Sequence, residues 1–194
     1  MKRHSTVHFR KAAVVSLTLC AVLALAACSS SDGKGEASDA SPTVMQSRTA
    51  SATDPKEAAE KEAFAAYRAY WQEMEKLYAD PTGKRAHLDQ YAASAALKNA
   101  QADAKSTHDR GLINTGEVAI TDQAVTNVDT SGKIPNATLS SCLDISLWQT
   151  LHAKTKKPVT LPDNRLTKYV IVSTVEKYPE GWRVTRDDPH GKSC

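Results

Sequence analysis

The apolar periodicity of this chain changes near Gly111, and this change is what most constrains the fold. Before Gly111, apolar residues recur every three or four positions, which is the spacing of one helix face. After it, they alternate with polar residues, which is typical of half-buried strands. Because the helices come first and the strands follow as a block, the pattern predicts an α+β domain, with N-terminal helices packed on a curved antiparallel sheet.

The first helix is predicted from residue 54 to about residue 78. Asp54 is suited to cap it, Pro55 fits the first helical position, and Glu57 completes a capping box. One face carries large apolar side chains at helical spacing. They are Phe64, Tyr67, Trp71, Met74 and Tyr78. A short helix is expected over about 84–92, and an alanine-rich third helix, expected to pack lightly, over about 94–108.

The second half of the chain predicts a long strand and a hairpin. The long strand spans about 137–148 and has an apolar face. Its residues are Ala137, Leu139, Ser141, Leu143, Ile145 and Leu147. Cys142, Asp144 and Trp148 fall on the opposite face. Residues 166–177 and a strand bearing Trp182, Val184 and Arg186 form the hairpin around the turn at 178–181. We expect the aromatic helix face to cover this sheet and to leave a cavity at the open end.

The N-terminal residues have the pattern of a bacterial lipoprotein signal. Residues 1–11 are basic without any acid, residues 12–24 are continuously apolar, and Leu25-Ala26-Ala27-Cys28 reads as a lipobox. The apolar run is shorter than the roughly 20 residues of a membrane span. We therefore expect 1–27 to be removed, Cys28 to be lipidated, 28–53 to form a flexible Ser/Ala/Asp-rich tether, and 54–194 to form a single domain. This places the domain at the extracytoplasmic face of the cell membrane.

The cysteines and the charge support this organisation. Cys20 lies in the signal and Cys28 takes the lipid, so Cys142 and Cys194 remain. Outside the cytoplasm such a pair is most simply a disulfide, although two unrelated thiols are the alternative. Four of the 25 basic residues lie in the signal, which leaves 21 against 22 acidic residues. This balance gives no electrostatic footprint for nucleic acid, so the membrane, reached through the lipid, is the expected partner.

Candidate site residues are few. Asp144 could be a desolvated base on the same strand face as Trp148, or it could simply accept hydrogen bonds from the nearby backbone. Tyr67, Tyr70 and Trp71 could line a pocket, or they could belong to the core. The four histidines outside the signal are scattered and form no zinc-like cluster. They are His87, His108, His152 and His190. The sequence predicts no catalytic motif, no metal site and no cofactor.

The pattern resembles the nuclear-transport-factor-2-like superfamily, and more narrowly its secreted actinobacterial lipoproteins. The resemblance covers Glu60 to Cys194. It rests on the order of several segments, which are Tyr67 and Tyr70, residues 111–116, residues 142–146, residues 181–184 and the closing Cys194. It implies a cone-shaped, cystatin-like α+β fold. Relatives of this fold include ketosteroid isomerase, limonene epoxide hydrolase, polyketide cyclases and noncatalytic binding modules, so the fold does not select a function.

Three functions follow as expectations. The first is a lipid-anchored envelope protein whose noncatalytic domain binds a small apolar ligand or a protein partner. The second is an enzyme of the isomerase, cyclase or hydratase type, which would use Asp144 and a tyrosine in a shared pocket. The third is an assembly subunit that forms a homodimer through the outer face of its sheet.

Overall fold

The structure, a computed structural model, describes residues 54–194. Within them, helices α1 (Pro55–Ala79) and α2 (Ser94–Asp109) are separated by a 3₁₀ turn, Leu88–Gln90. The strands follow in chain order. They are β1 (Leu112–Thr115), β2 (Ala119–Asp129), β3 (Asn136–Asp144), β4 (Gln149–His152), β5 (Lys168–Tyr178) and β6 (Gly181–Pro189). The helices pack on antiparallel sheets, which confirms the α+β prediction.

Helix α1 forms where the capping pattern predicts it. The Asp54 carboxylate accepts a hydrogen bond of 2.9 Å from the Lys56 backbone N–H, and Pro55 occupies the first helical position. The aromatic face is buried, with Tyr67 fully enclosed and Tyr70 only 2% exposed. This face contacts the inner side of the sheet, so the helix supplies four of the five buried aromatic side chains of the core.

Helix α2 packs more closely than its small side chains suggest. Ala96, Ala100 and Ala104 are all buried, and the helix contacts α1, β1 and β6. The prediction of a lightly packed helix is therefore wrong. Methyl groups leave little volume between two elements, so an alanine face lets the backbones approach each other. The alanine-rich pattern indicates close packing rather than a free surface.

The segment predicted as a short helix over 84–92 instead completes an edge of the sheet. Only the 3₁₀ turn is helical, and Ala92 forms a parallel bridge to Val184. The Val184 N–H donates to the Tyr91 carbonyl at 2.8 Å, and the Ala93 N–H donates to the Val184 carbonyl at 2.9 Å. Because these bonds satisfy backbone groups at the edge of β6, an extended chain is favoured here over another helical turn.

Strands β2, β3, β5 and β6 form a four-stranded antiparallel sheet in that order, and β1 pairs with β4 in a second, two-stranded sheet. Strand β3 ends at Asp144, four residues before the predicted end. The Asp144 carboxylate accepts a 2.9 Å hydrogen bond from the Ser146 N–H and so stabilises a turn. As a result Leu147, which was predicted to face the core, is 64% exposed.

The hairpin of β5 and β6 forms as predicted, but β6 contains a register shift. Val175 pairs with Val184, whereas Thr174 pairs with Arg186, so Thr185 is an extra residue in β6. Such a bulge exchanges the two faces of the strand beyond it. Asp187, rather than Arg186, consequently lies on the inner face of the sheet.

The C-terminal tail is fixed to the sheet. Cys142 in β3 and Cys194 form a disulfide with Cα atoms 5.9 Å apart, which confirms the predicted pair. The Val170 N–H also donates to the Lys192 carbonyl at 2.8 Å, and the His190 N–H donates to the Val170 carbonyl at 3.0 Å. The end of the chain is therefore held beside β5 by covalent and hydrogen bonds.

None of the helices in residues 54–194 is long and apolar enough to cross a membrane. The predicted signal, the lipidated Cys28 and the tether lie outside the described residues.

Candidate functional site

A cavity of about 350 Å³ lies between the two helices and the inner face of the sheet. Five aromatic side chains contribute to its wall. They are Tyr70, Trp71, Tyr78, Trp148 and Tyr169. Several of these rings contact each other: Trp148 lies 5.2 Å from Tyr78 and 6.3 Å from Trp71, measured between ring centroids. The rings therefore form a continuous aromatic wall, and we call this volume the aromatic cavity.

The size of the aromatic cavity follows from the residues that face it. Helix α1 contributes large rings at helical spacing, with Met74 between them. Helix α2 contributes two methyl groups and two polar side chains, which are Ala96, Ala100, Asn99 and Asp103. The volume left between these side chains and the sheet is in the range of small-molecule sites, which is about 300–1,000 Å³.

Asp187 is the inward carboxyl of this cavity. The bulge at Thr185 aligns it with Ser173 across the hairpin, and the Ser173 hydroxyl donates a hydrogen bond of 2.5 Å to its carboxylate. Burial raises the pKa of Asp187 to about 7, and the hydroxyls of Ser173, Tyr70 and Tyr67 act in the opposite direction by stabilising the ionised form. This carboxyl can therefore exchange a proton near neutral pH.

The tyrosines beside Asp187 stay protonated. Burial and the nearby Asp187 charge raise the pKa of both Tyr67 and Tyr70 well above the ordinary value, and burial raises the pKa of Tyr78 to about 12. Each phenol is therefore a hydrogen-bond donor at physiological pH. Tyr67 lies behind Tyr70. Its hydroxyl forms no hydrogen bond with any residue from 54 to 194.

The charges of the cavity are of one sign. Asp103 and Asp188 line it together with Asp187, and no Lys, Arg or His side chain does so in the described part of the chain. Asp188 and Arg186 approach to 3.9 Å, but both side chains are more than 60% exposed, so solvent screens this pair. The charged side chains that line the aromatic cavity are accordingly all acidic.

Two indole groups also lack partners. The Nε1 atoms of Trp71 and Trp148 are buried, and neither donates a hydrogen bond to any residue from 54 to 194. Trp71 is only 6% exposed and lines the aromatic cavity. Both atoms are enclosed by protein, and the Trp71 indole lies beside the Tyr67 side chain behind the cavity, so neither donor is open to the cavity itself.

The structure brings together some of the residues proposed from the sequence. Tyr70, Trp71 and Trp148 line the aromatic cavity, and Tyr67 lies directly behind it. Asp144 is not part of the lining. It pairs with Lys168 at 3.1 Å, and its contacts with Ser146 and Lys168 hold its pKa below the ordinary value. It therefore matches the interpretation in which Asp144 accepts local hydrogen bonds.

Asp187 was not among the sequence candidates. Strict alternation from Trp182 and Val184 puts Arg186 on the inner face and Asp187 on the outer one, and only the bulge reverses this. The sequence Arg186-Asp187-Asp188 contains no glycine or other residue that would mark the bulge. Within residues 54–194, no group of three or more His, Cys, Asp or Glu side chains is arranged to hold a metal ion.

No family model matches the chain, and a search of the curated proteins gives no match. Among solved structures, the chain is similar to the intermembrane space region of the chloroplast protein ARC6, with a TM-score of 0.43 and 16% identity over 66% of this chain and 95% of that chain. It is also similar to the Kfla4162 protein of Kribbella flavida, with a TM-score of 0.39 and 13% identity over 69% and 90% of the respective chains. We draw no inference about function from these two likenesses.

Proposed function

We propose that this chain is a lipid-anchored envelope protein whose α+β domain binds a small ligand in the aromatic cavity without catalysis. One observation carries the proposal: a volume of about 350 Å³ is walled by five aromatic side chains and contains one inward carboxyl, Asp187. Apolar walls with a few convergent polar groups are typical of small-molecule sites. The ligand has an apolar body that packs on the rings and a polar group that bonds Asp187.

The N-terminal sequence supports the lipid anchor. The basic residues 1–11, the apolar residues 12–24 and the lipobox ending at Cys28 form the order that directs a lipoprotein to the outer side of the membrane. The disulfide between Cys142 and Cys194 also fits that compartment, because such bonds persist outside the cytoplasm.

We also propose that the domain is a cone of the nuclear-transport-factor-2-like type. Its element order, with helices preceding an antiparallel sheet, supports this assignment. The contacts of α1 with β2, β3, β5 and β6 add support, because a single helix lies across the inner side of the whole four-stranded sheet. In such a fold the space between helix and sheet is where a ligand binds.

Blocking the cavity tests the binding function. In the full chain purified in detergent, Ala100→Leu places a larger side chain in the lining, whereas Ala102→Leu makes the same change on the exposed side of α2. The probe is 2-naphthol, which has an apolar body and one hydroxyl donor, and calorimetry gives its dissociation constant. We expect Ala100→Leu to weaken binding at least about tenfold relative to Ala102→Leu, which is a difference of about 1.4 kcal/mol.

The matched pair of variants controls for detergent partition and for misfolding. Both variants experience the same partition of 2-naphthol into detergent, and circular dichroism verifies that both are folded. Equal dissociation constants in the two variants and the unmodified chain, or the absence of binding to any of them, would contradict the proposed function.

One observation favours a second candidate, an enzyme of the isomerase, cyclase or hydratase type. Asp187, whose pKa burial raises to about 7, and the Tyr70 hydroxyl share the aromatic cavity. A carboxylate with that pKa can remove a proton from carbon, while a protonated phenol donates to the developing oxyanion. In this second candidate, Asp187 takes the role that the sequence assigned to Asp144.

Deuterium exchange separates the two functions. The full chain is incubated with 2-tetralone in D₂O, and mass spectrometry follows the exchange of the carbon-bound protons beside the carbonyl. An enzyme accelerates this exchange, and Asp187→Asn abolishes the acceleration. A noncatalytic binding domain leaves the rate equal to that in buffer.

A further inference from the structure

We infer that the ligand of the aromatic cavity is an organic cation, an amine or quaternary ammonium group on a small apolar body. This inference rests on the proposed function, because it names the chemical class of the ligand for the same cavity. It follows from two features of the lining: the aromatic rings and the sign of the charges.

The aromatic faces provide the first argument. An aromatic ring has a negative face, so a cation within about 6 Å of the ring centre is attracted to it, and tryptophan attracts it most strongly. The cavity wall contains Trp71, Trp148 and three tyrosine rings within one volume of about 350 Å³. A compact cation in this volume contacts several rings at once. A hydrocarbon of the same shape gains the contact area without that attraction.

The sign of the charges provides the second argument. Asp187 forms no ion pair with any residue from 54 to 194, and the groups that face it are neutral or acidic. These groups come from every element around it. They are Tyr67 and Tyr70 on α1, Asp103 on α2, Tyr169 and Ser173 on β5, and Asp188 on β6. An inward carboxylate with no counterion is costly, so a cationic ligand supplies the charge that the protein omits. An anion is repelled by ionised Asp187, whereas Asp103 and Asp188 are exposed and add little because solvent screens them.

A pair of probes isolates the charge. Choline and 3,3-dimethyl-1-butanol have nearly the same shape and the same hydroxyl, but only choline carries a positive charge. Calorimetric titration of the full chain in detergent at pH 8 measures both dissociation constants. We expect choline to bind at least about tenfold more tightly than its neutral isostere.

Two variants identify the group responsible. Asp187→Asn keeps an oxygen that accepts from Ser173 and removes the charge, so we expect the preference for choline to fall severalfold. Asp89→Asn removes an exposed acid on the 3₁₀ turn, outside the lining, and should leave the preference unchanged. The comparison of the two probes on the unmodified chain tests the inference even where Asp187→Asn fails to fold.

The outcomes distinguish this inference from the function on which it rests. If the neutral isostere binds as tightly as choline, or if 2-naphthol binds while choline does not, the cationic ligand class is wrong and the binding function stands. If none of the three probes binds, both are wrong.

Discussion

At the scale of single residues, the proposed ligand site depends on Asp187. Its position is set by one extra residue in β6, Thr185, and by the hydrogen bond from Ser173. The sequence assigned the pocket carboxyl to Asp144, because strict alternation puts that residue beside Cys142 and opposite the apolar face. The bulge in β6 depends on its pairing with β5, and β3 ends where the Asp144 carboxylate stabilises a turn. No glycine marks either position in the sequence.

Asp187 should make stability depend on pH. Its folded pKa of about 7 lies above the ordinary value of 3.8, so between these values the folded protein keeps a proton that the unfolded chain has lost. Stability from this group therefore falls as pH rises from about 4 to 7, by at most about 1.4 kcal/mol per pH unit, and is constant above 7. Asp187→Asn should remove this fall.

Urea unfolding of the unmodified chain, Asp187→Asn and Asp89→Asn at half-unit pH steps checks this prediction. The Asp89→Asn profile should follow that of the unmodified chain. Parallel profiles for all three proteins would show that Asp187 is not desolvated in the folded state.

At the scale of elements, long periodic segments were predictable and their junctions were not. The capping pattern and aromatic spacing defined α1, and the β-branched stretch defined the β5–β6 hairpin. The segment around Ala92 was predicted wrongly because its hydrogen bonds to β6 favour an extended chain. The end of β3 was predicted wrongly because the Asp144 carboxylate stabilises a turn there. The aromatic residues of the cavity were predicted as a helix face, whereas α2, which forms another wall, was predicted to pack lightly.

The close packing of α2 can be tested by enlarging its alanines. Ala104 is 1% exposed, so Ala104→Leu inserts three carbon atoms at a buried position of α2, and we expect a loss of about 1–3 kcal/mol. Ala102→Leu on the exposed side should change stability by no more than about 0.5 kcal/mol. Denaturant unfolding measures both. Equal effects would mean that α2 packs as lightly as its composition first suggested.

At the scale of the whole molecule, the disulfide connects the C-terminus to the cavity. Cys142 and Cys194 are 52 residues apart in sequence, and the tail that they fix follows directly after Pro189, which lines the cavity together with Asp188. The disulfide therefore stabilises the fold by lowering the conformational entropy of the unfolded chain. It also holds the tail in place beside one wall of the aromatic cavity.

Loss of the disulfide should lower stability by roughly 4 kcal/mol, from the chain entropy of a closed loop of this length. Cys142→Ser with Cys194→Ser should unfold at lower urea than the oxidised protein. Addition of a reductant should shift the unmodified chain toward the variant and leave the variant unchanged. If Cys142 and Cys194 are both free thiols in the unmodified chain under oxidising conditions, the disulfide assignment is wrong.

Lipidation should determine where the protein is found. With Cys28→Ala the lipid has no attachment point, so we expect the protein to leave the membrane fraction, as measured by immunoblotting of membrane and soluble fractions. Cys20→Ala, within the predicted signal, is the matched control and should remain in the membrane fraction. Equal membrane retention of both variants would contradict the anchor.

The most direct test of the central claim, that the aromatic cavity around Asp187 is a ligand site, is a ¹³C NMR titration of the Asp187 carboxyl in the full chain. We expect the Asp187 carboxyl to have a pKa of about 7 in the free protein. We also expect its signal to change when 2-naphthol is added, while the Asp89 signal stays the same. A pKa near the ordinary 3.8, with a signal that does not respond to 2-naphthol, would contradict the central claim.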